Sequence, residues 1–216
     1  LTVAGFNVEN LAANRGLRIT RIAESISVNL KCPDILVLPE IQDYNGTDFS
    51  GGSAAQLTLD GIIAELRCPG SDYKSLNVDP IPGQDGGEPG GNIRVAMLYN
   101  EKRVQFEPKG NALALDETIV DRNGELNQNP GRVYPNDLAF DRSRKPIVAQ
   151  FTFNGQKIYV IGAHLNSKLG DGNSWAAQQP TENRSRPQRN FIATRINQFA
   201  NSILERNPQA KVIIAG

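Results

Sequence analysis

The feature that most limits what this chain can fold into is the run Tyr159-Val160-Ile161-Gly162-Ala163, which leads directly into His164. A short, largely β-branched apolar run reads as a strand covered on both faces. His164 is the only histidine in 216 residues. Asn166, Ser167 and Lys168 come next, followed by the glycine-rich Gly170-Asp171-Gly172-Asn173. Upstream, Asn154-Gly155 separates the strand-like stretches 146–153 and 156–163, a strong hairpin signal. The central strand is therefore one arm of an antiparallel pair. Strand ends that pass polar groups to loops are where α/β proteins build sites. His164 has two readings there: an acid or base that titrates near neutrality, or a structural hydrogen bond closing the strand.

The rest of the chain supplies strand–helix alternation around that hairpin. Residues 2–8 read as a strand, and 17–30 as a helix with Ile19, Ile22, Ile26 and Leu30 at helical spacing. Pro33 ends that helix, and Ile35-Leu36-Val37-Leu38 is again a buried strand. Leu59, Ile62, Ile63 and Leu66 mark a second amphipathic helix. Residues 80–92 are too rich in Pro and Gly for anything but loop, and Arg94-Val95-Ala96-Met97-Leu98-Tyr99 resumes as strand. The polar stretch 116–141 is expected to be a long surface excursion, and 166–188 a second polar loop. A third helix spans 187–206, and Lys211-Val212-Ile213-Ile214-Ala215 starts another strand. Strand–helix–strand units beside a hairpin demand mixed sheets, so the expected architecture is an α/β sandwich with helices outside the strands.

The length suits one domain over residues 1–216 with a core of its own. Twenty-three basic residues balance twenty-three acidic ones, so no global field attracts nucleic acid or membrane. An anionic partner must be held by local clusters, such as Arg142-Ser143-Arg144-Lys145 or Arg184, Arg186 and Arg189. No apolar run approaches the ~20 residues that span a bilayer. Cys32 and Cys68 each precede a proline just past a helix, a placement compatible with a disulfide and with an oxidising compartment, or with two free thiols. Residue 1 is Leu, which predicts that a preceding segment was removed or left out.

Polar side chains gather at the expected strand ends: Asn7, Glu9 and Asn10 after the first, Glu40, Gln42 and Asp43 after the second, His164 and Asn166 after the central one. Carboxylate and amide oxygens together suit Mg²⁺, Mn²⁺ or Ca²⁺. One histidine and two remote cysteines do not make a zinc site. Each residue also has an ordinary reading, as a solvated turn residue or a cap, and only their coincidence on strand ends points to chemistry.

Taken together, Phe6-Asn7-Val8-Glu9-Asn10, Leu38-Pro39-Glu40-Ile41-Gln42-Asp43, Arg94-Val95-Ala96-Met97-Leu98-Tyr99, Arg144-Lys145-Pro146, Gly162-Ala163-His164-Leu165-Asn166-Ser167-Lys168 and the helix leading to Ile213-Ile214-Ala215-Gly216 resemble the endonuclease/exonuclease/phosphatase superfamily. These are metal-dependent phosphodiesterases related to pancreatic deoxyribonuclease, and the segment after His164 looks most like a secreted nuclease branch. The resemblance implies a four-layer α/β sandwich of two mixed sheets flanked by helices. It implies a secreted, Mg²⁺-dependent nuclease acting on DNA with low sequence specificity. Glu40 would be the main metal carboxylate, with Asn7 and Glu9 as further ligands. His164 would protonate the leaving oxygen or stabilise charge on phosphate, and Arg144, Asn166 and Lys168 would contact the phosphodiester. The resemblance also implies two later motifs, Gly-Asp-x-Asn and Ser-Asp-His, that do not occur in these 216 residues. The expectation is a sandwich incomplete at its C-terminal end, a longer natural protein and little turnover by this chain alone. Two other readings stay open: a phosphatase or phosphodiesterase of small phosphoesters or lipid head groups, and a non-catalytic binding module.

Overall fold

A computed structural model describes residues 1–48 and 50–216. The first sheet has the order β1 (Val3–Gly5), β2 (Ile35–Ile41), β4 (Arg94–Asn100), β3 (Tyr73–Leu76). β1 is parallel to β2, and the other two pairings are antiparallel. The second has the order β5 (Gln105–Phe106), β7 (Ile147–Phe153), β8 (Gln156–Gly162), β9 (Lys211–Ala215), with the short β6 (Gly131–Arg132) also on β7. β7 and β8 are the arms of the Asn154-Gly155 hairpin, whose two turn residues both take positive φ, 50° and 74°. β8 and β9 run parallel, joined by α3 (Arg186–Arg206). Both sheets are mixed, as the sequence required.

Alternation along the strands divides the core into three clusters. Val37, Val95 and Met97 of the first sheet meet Ile147, Ala149 and Val160 of the second in the centre of the sandwich. The opposite faces of the same strands, Leu36, Leu38 and Leu98, pack on Ile19, Ile22 and Ile26 of the first helical segment and Leu59 and Ile62 of α2 (Gln56–Glu65). Val148, Tyr159 and Ile161 carry Ile192, Ile196, Phe199 and Ile203 of α3. β2, β4, β7 and β8 are thus covered on both faces, the reason they read as near-continuous apolar runs rather than alternating ones. The layers run helix, sheet, sheet, helix.

Three sequence expectations change in detail, and one alternative left open is closed. The first helix is α1 (Gly16–Glu24) followed by a π-helical turn at Ser25–Asn29, and Lys31 and Cys32 then turn left-handed before Pro33. Cys32 and Cys68 are joined in a disulfide. The ladder of β1 stops at Gly5, although Phe6 and Val8 still donate to Val37 and Pro39 at 2.9 and 3.1 Å. The stretch 116–141 is not a mere surface excursion. Val120, Leu126, Val133, Ala139 and Phe140 sink into the core under α3, and Arg132 is 2% exposed. A polar composition concealed this, because the apolar anchors are spaced too irregularly to show a period.

Candidate active site at the joined ends of two sheets

Parallel pairing sends the C-terminal ends of β1, β2, β8 and β9 to one end of the sandwich. There the sheets close on one another. A Cβ on Gly5 would lie 3.1 Å from the backbone nitrogen of Gly216, and one on Gly162 would lie 3.0 Å from Ile147, Val37 and Val95. The small residues bring the polar groups beyond the strands within reach of one another.

Glu40 sits at the centre. It lies within β2 rather than after it, at a bulge where the register with β4 slips between Pro39 and Ile41. Its φ of +68° is left-handed, a strain of about 1–3 kcal/mol for a residue with a Cβ. Backbone bonds hold it there: Leu11 N donates to Glu40 O at 3.0 Å. Two donors fix the carboxylate, Asn7 Nδ2 to Oε1 at 2.8 Å and Asn10 N to Oε2 at 3.1 Å. His164 Nε2 lies 3.4 Å from Oε1. The fold thus brings Asn7, Glu40 and His164 together from three segments far apart in the chain.

His164 is half-buried, and burial is the main reason its pKa falls from 6.5 to about 4. The Arg144 charge pushes the same way, and Glu40 opposes it. The imidazole is consequently neutral at pH 7, with Nδ1 buried and without a partner. Arg144 follows Ser143 into the start of β7. Burial lowers its pKa, opposed by Glu40 and Asp85, yet a guanidinium so placed remains charged. Nη2 donates to Leu165 O at 3.2 Å, and the buried Nε has no partner. A cation with unused donors beside a carboxylate and a neutral imidazole is chemistry suited to a phosphate oxygen.

The remaining expected residues stand differently. Asn166 does not present a free amide. It accepts from Ser143 Oγ at 2.6 Å and donates to Gln188 Oε1, while Gln188 Nε2 donates to Asp141 O at 3.0 Å. This chain ties the Arg144 segment, the exit of β8 and the first turn of α3 together. Asn166 and Ser143 thus hold Arg144 in place. Ser143 and Gln188 carry no motif of their own, so only the fold reveals them. The Glu9 carboxylate is 87% exposed and pairs with Arg18 at 3.2 Å. Lys168 is exposed on the following loop, near Asp171. Lys145 is no surface cation: it and Arg132 both reach the buried Asp85 at 2.9 Å.

Among the described residues no three His, Cys, Asp or Glu side chains gather round one point. Mg²⁺ does not need such a cage, because it keeps waters and takes one or two carboxylates plus substrate phosphate. Glu40 has lone pairs left after its two hydrogen bonds and meets that description. The Asn7 amide does not add a free oxygen. Its nitrogen must face Glu40, and Oδ1 accepts from Glu9 N at 2.8 Å.

The sequence matches no family model and no curated protein. Its fold does match solved structures. A truncated TDP2 from Caenorhabditis elegans is 17% identical over 98% of this chain and 59% of its own, with a TM-score of 0.53. A hairpin-deleted beta toxin from Staphylococcus aureus is 17% identical over 99% of this chain and 65% of its own, with a TM-score of 0.50. SmcL is 13% identical over 99% and 62%, also with a TM-score of 0.50. The shared fold is the endonuclease/exonuclease/phosphatase sandwich. At such identities the likeness extends to architecture and no further. The chain spans about three fifths of the length of the structures it matches.

Proposed function

We propose that this protein hydrolyses phosphodiester bonds with the help of a divalent cation, Mg²⁺ foremost, with Mn²⁺ or Ca²⁺ able to occupy the same oxygen site. The substrate is DNA, held through its phosphates with little sequence preference. One observation carries the reading: Glu40, Arg144 and His164 converge at one end of two sheets, each with unused bonding capacity. The residues fit division of labour on a phosphodiester. Glu40 would hold the cation, and Asn7 and the Asn10 backbone keep its carboxylate aligned. A bound divalent cation offsets charge on phosphate and makes bound water more acidic. Arg144 grips a phosphate oxygen with its unused N–H groups. Neutral His164 donates its single proton as a hydrogen bond to an oxygen on which charge grows. A phosphate between Arg144 and His164 also offsets the Arg144 charge that depresses the imidazole pKa, moving His164 toward proton donation. The disulfide fits work in an oxidising, extracellular compartment.

A second reading, hydrolysis of a small phosphoester or lipid head group, has a cavity of about 540 Å³ in its favour, beside the Ser143-Arg144 segment and lined by Arg142 together with Asp137, Asp141 and the Asp85-bound Arg132 and Lys145. Plasmid relaxation with Mg²⁺, with and without EDTA, separates the readings. It should be run on this chain and on any longer natural form. Nicking that needs metal and is lost in Glu40→Ala and His164→Ala supports the nuclease. Intact plasmid with turnover of a small phosphodiester supports the second reading. DNA retention with turnover of neither substrate would reduce the protein to a binding module.

A further inference from the structure

The loop leaving His164 presents an aromatic side chain that the fold does not use. Trp175, the only tryptophan of the chain, is 94% exposed. The loop beneath it is held in shape by its own hydrogen bonds. At its base Ser185 N and Oγ donate to Asp171 at 2.8 and 2.7 Å, and Gly172 N donates to Glu182 O at 2.7 Å. At its tip Trp175 N donates to Asn173 Oδ1 at 3.0 Å. Gln179 Nε2 bonds the carbonyls on either side, Ser174 O and Ala176 O, at 3.2 and 3.1 Å. Backbone groups on both sides of Trp175 are bonded while the largest apolar side chain in the molecule is left in water. Nothing in folding rewards that placement, since tryptophan stabilises a structure through the area it buries.

Its position supplies the reason. Ser185 directly precedes α3, whose Gln188 is bonded to Asn166 in the site. Three residues separate Asp171 from Trp175, so the Trp175 Cα lies within about 14 Å of the Asp171 Cα, which is itself tied to Ser185. Cations stand at the root, where Lys168 and Arg189 flank Asp171, Arg189 also donates to Ser185 Oγ at 3.4 Å and Arg186 opens α3, while Arg184 is engaged by Glu182 at 2.7 Å. Around the indole the tip is polar or small, with Asn173, Ser174, Ala176, Ala177, Gln178 and Gln179. Leu169, also strongly exposed at 92%, stands at the root of the loop six residues before Trp175, whereas a lipid-inserting tip would gather several apolar side chains together. One flat aromatic on a polar turn, above a cationic root, matches a single strand whose base stacks on the ring while its phosphates meet the cations.

We propose that Trp175 is a stacking platform for an unpaired base of single-stranded nucleic acid, a binding subsite beside the His164 centre. The inference rests on the nuclease reading and names the form of substrate that the centre receives. The test is binding in EDTA at low salt, so that nothing is cleaved. An oligothymidylate is followed by its own label and by the single tryptophan emission of the protein. The expected result is saturable quenching that weakens with salt. Trp175→Ala should loosen labelled-oligonucleotide binding by about 5- to 150-fold, and Trp175→Phe should restore most of it. Oligonucleotide binding without quenching, with Trp175→Ala at wild-type affinity, overturns this proposal and leaves the nuclease reading standing. No oligonucleotide binding by the wild-type protein overturns this proposal, and the nuclease reading is then decided by metal-dependent plasmid nicking. A blue-shifted emission with anionic phospholipid vesicles, but no response to oligonucleotide, assigns the loop to a lipid surface and also overturns it.

Discussion

At the scale of single residues, the site works by withholding solvent from groups that would ordinarily be solvated. His164 is the clearest case, with a pKa near 4 in the fold against 6.5 for the free side chain. Between those values the unfolded chain binds a proton that the folded chain refuses. The neutral imidazole therefore contributes stability that is full above pH 6.5 and is lost as pH falls toward 4. As the only histidine, it has no other imidazole titrating in that window. Urea midpoints measured from pH 4 to 7 should climb steeply for the wild type and much less for His164→Gln. An equal slope in both would show that His164 titrates normally. Asn7 belongs to this scale too. Its amide orients Glu40 without offering a free oxygen, so Asn7→Ala should raise the Mg²⁺ concentration for half-maximal activity about 10- to 100-fold. Unchanged metal dependence would separate Asn7 from the cation.

At the scale of elements, two devices shape the site end of the first sheet. The bulge in β2 turns Glu40 out of the ladder, and the segment after β1 wraps the bulge through Leu11 and Asn10. The disulfide fastens the far ends of the helical layer, where the turn after the first helix meets the chain leaving α2. It closes a loop between residues 36 apart in sequence, so its loss should cost about 2–4 kcal/mol. Cys32→Ser with Cys68→Ser, or treatment with dithiothreitol, should lower the denaturation midpoint accordingly. The candidate site lies at the other end of these strands, so any phosphodiester turnover should persist in the protein that remains folded.

At the scale of the whole molecule, loops distant in sequence are fastened by buried charge. Asp85, from the glycine-rich loop, receives Arg132 of β6 and Lys145 from the start of β7, and all three are nearly inaccessible. Arg132 also donates to Val78 O and Ala114 O at 3.1 and 3.2 Å. Buried pairs are weak sources of net stability, but removing one partner strands the other. Asp85→Asn leaves two cations without their carboxylate and should cost about 3–5 kcal/mol, read as a lowered urea midpoint. A shift below 1 kcal/mol would mean that water reaches the cluster. Sequence alone placed Lys145 with the candidate phosphate contacts, because a run of cations shows no sign of which member is buried.

The fold class was legible because burial on both faces writes itself into the chain as unbroken apolar runs, and helix faces write themselves as a period. Ile35-Leu36-Val37-Leu38, the Asn154-Gly155 turn and the Ile192–Ile196–Phe199–Ile203 stripe each carry such a signal. Asn7, Glu40 and His164 were legible as polar groups beside those runs. What the tertiary structure alone decided is how they are used. That Asn7 and Asn166 spend their amides on neighbours and that Lys145 is buried on Asp85 depend on which side chains meet across segments 20 to 60 residues apart (Ser143 to Asn166, for example, are separated by 23), and even the nearby Glu9–Arg18 pair is set by how the chain turns between them. Periodicity is a property of one segment, whereas hydrogen-bond partners and desolvation arise between segments, and only the packed sheets supply them.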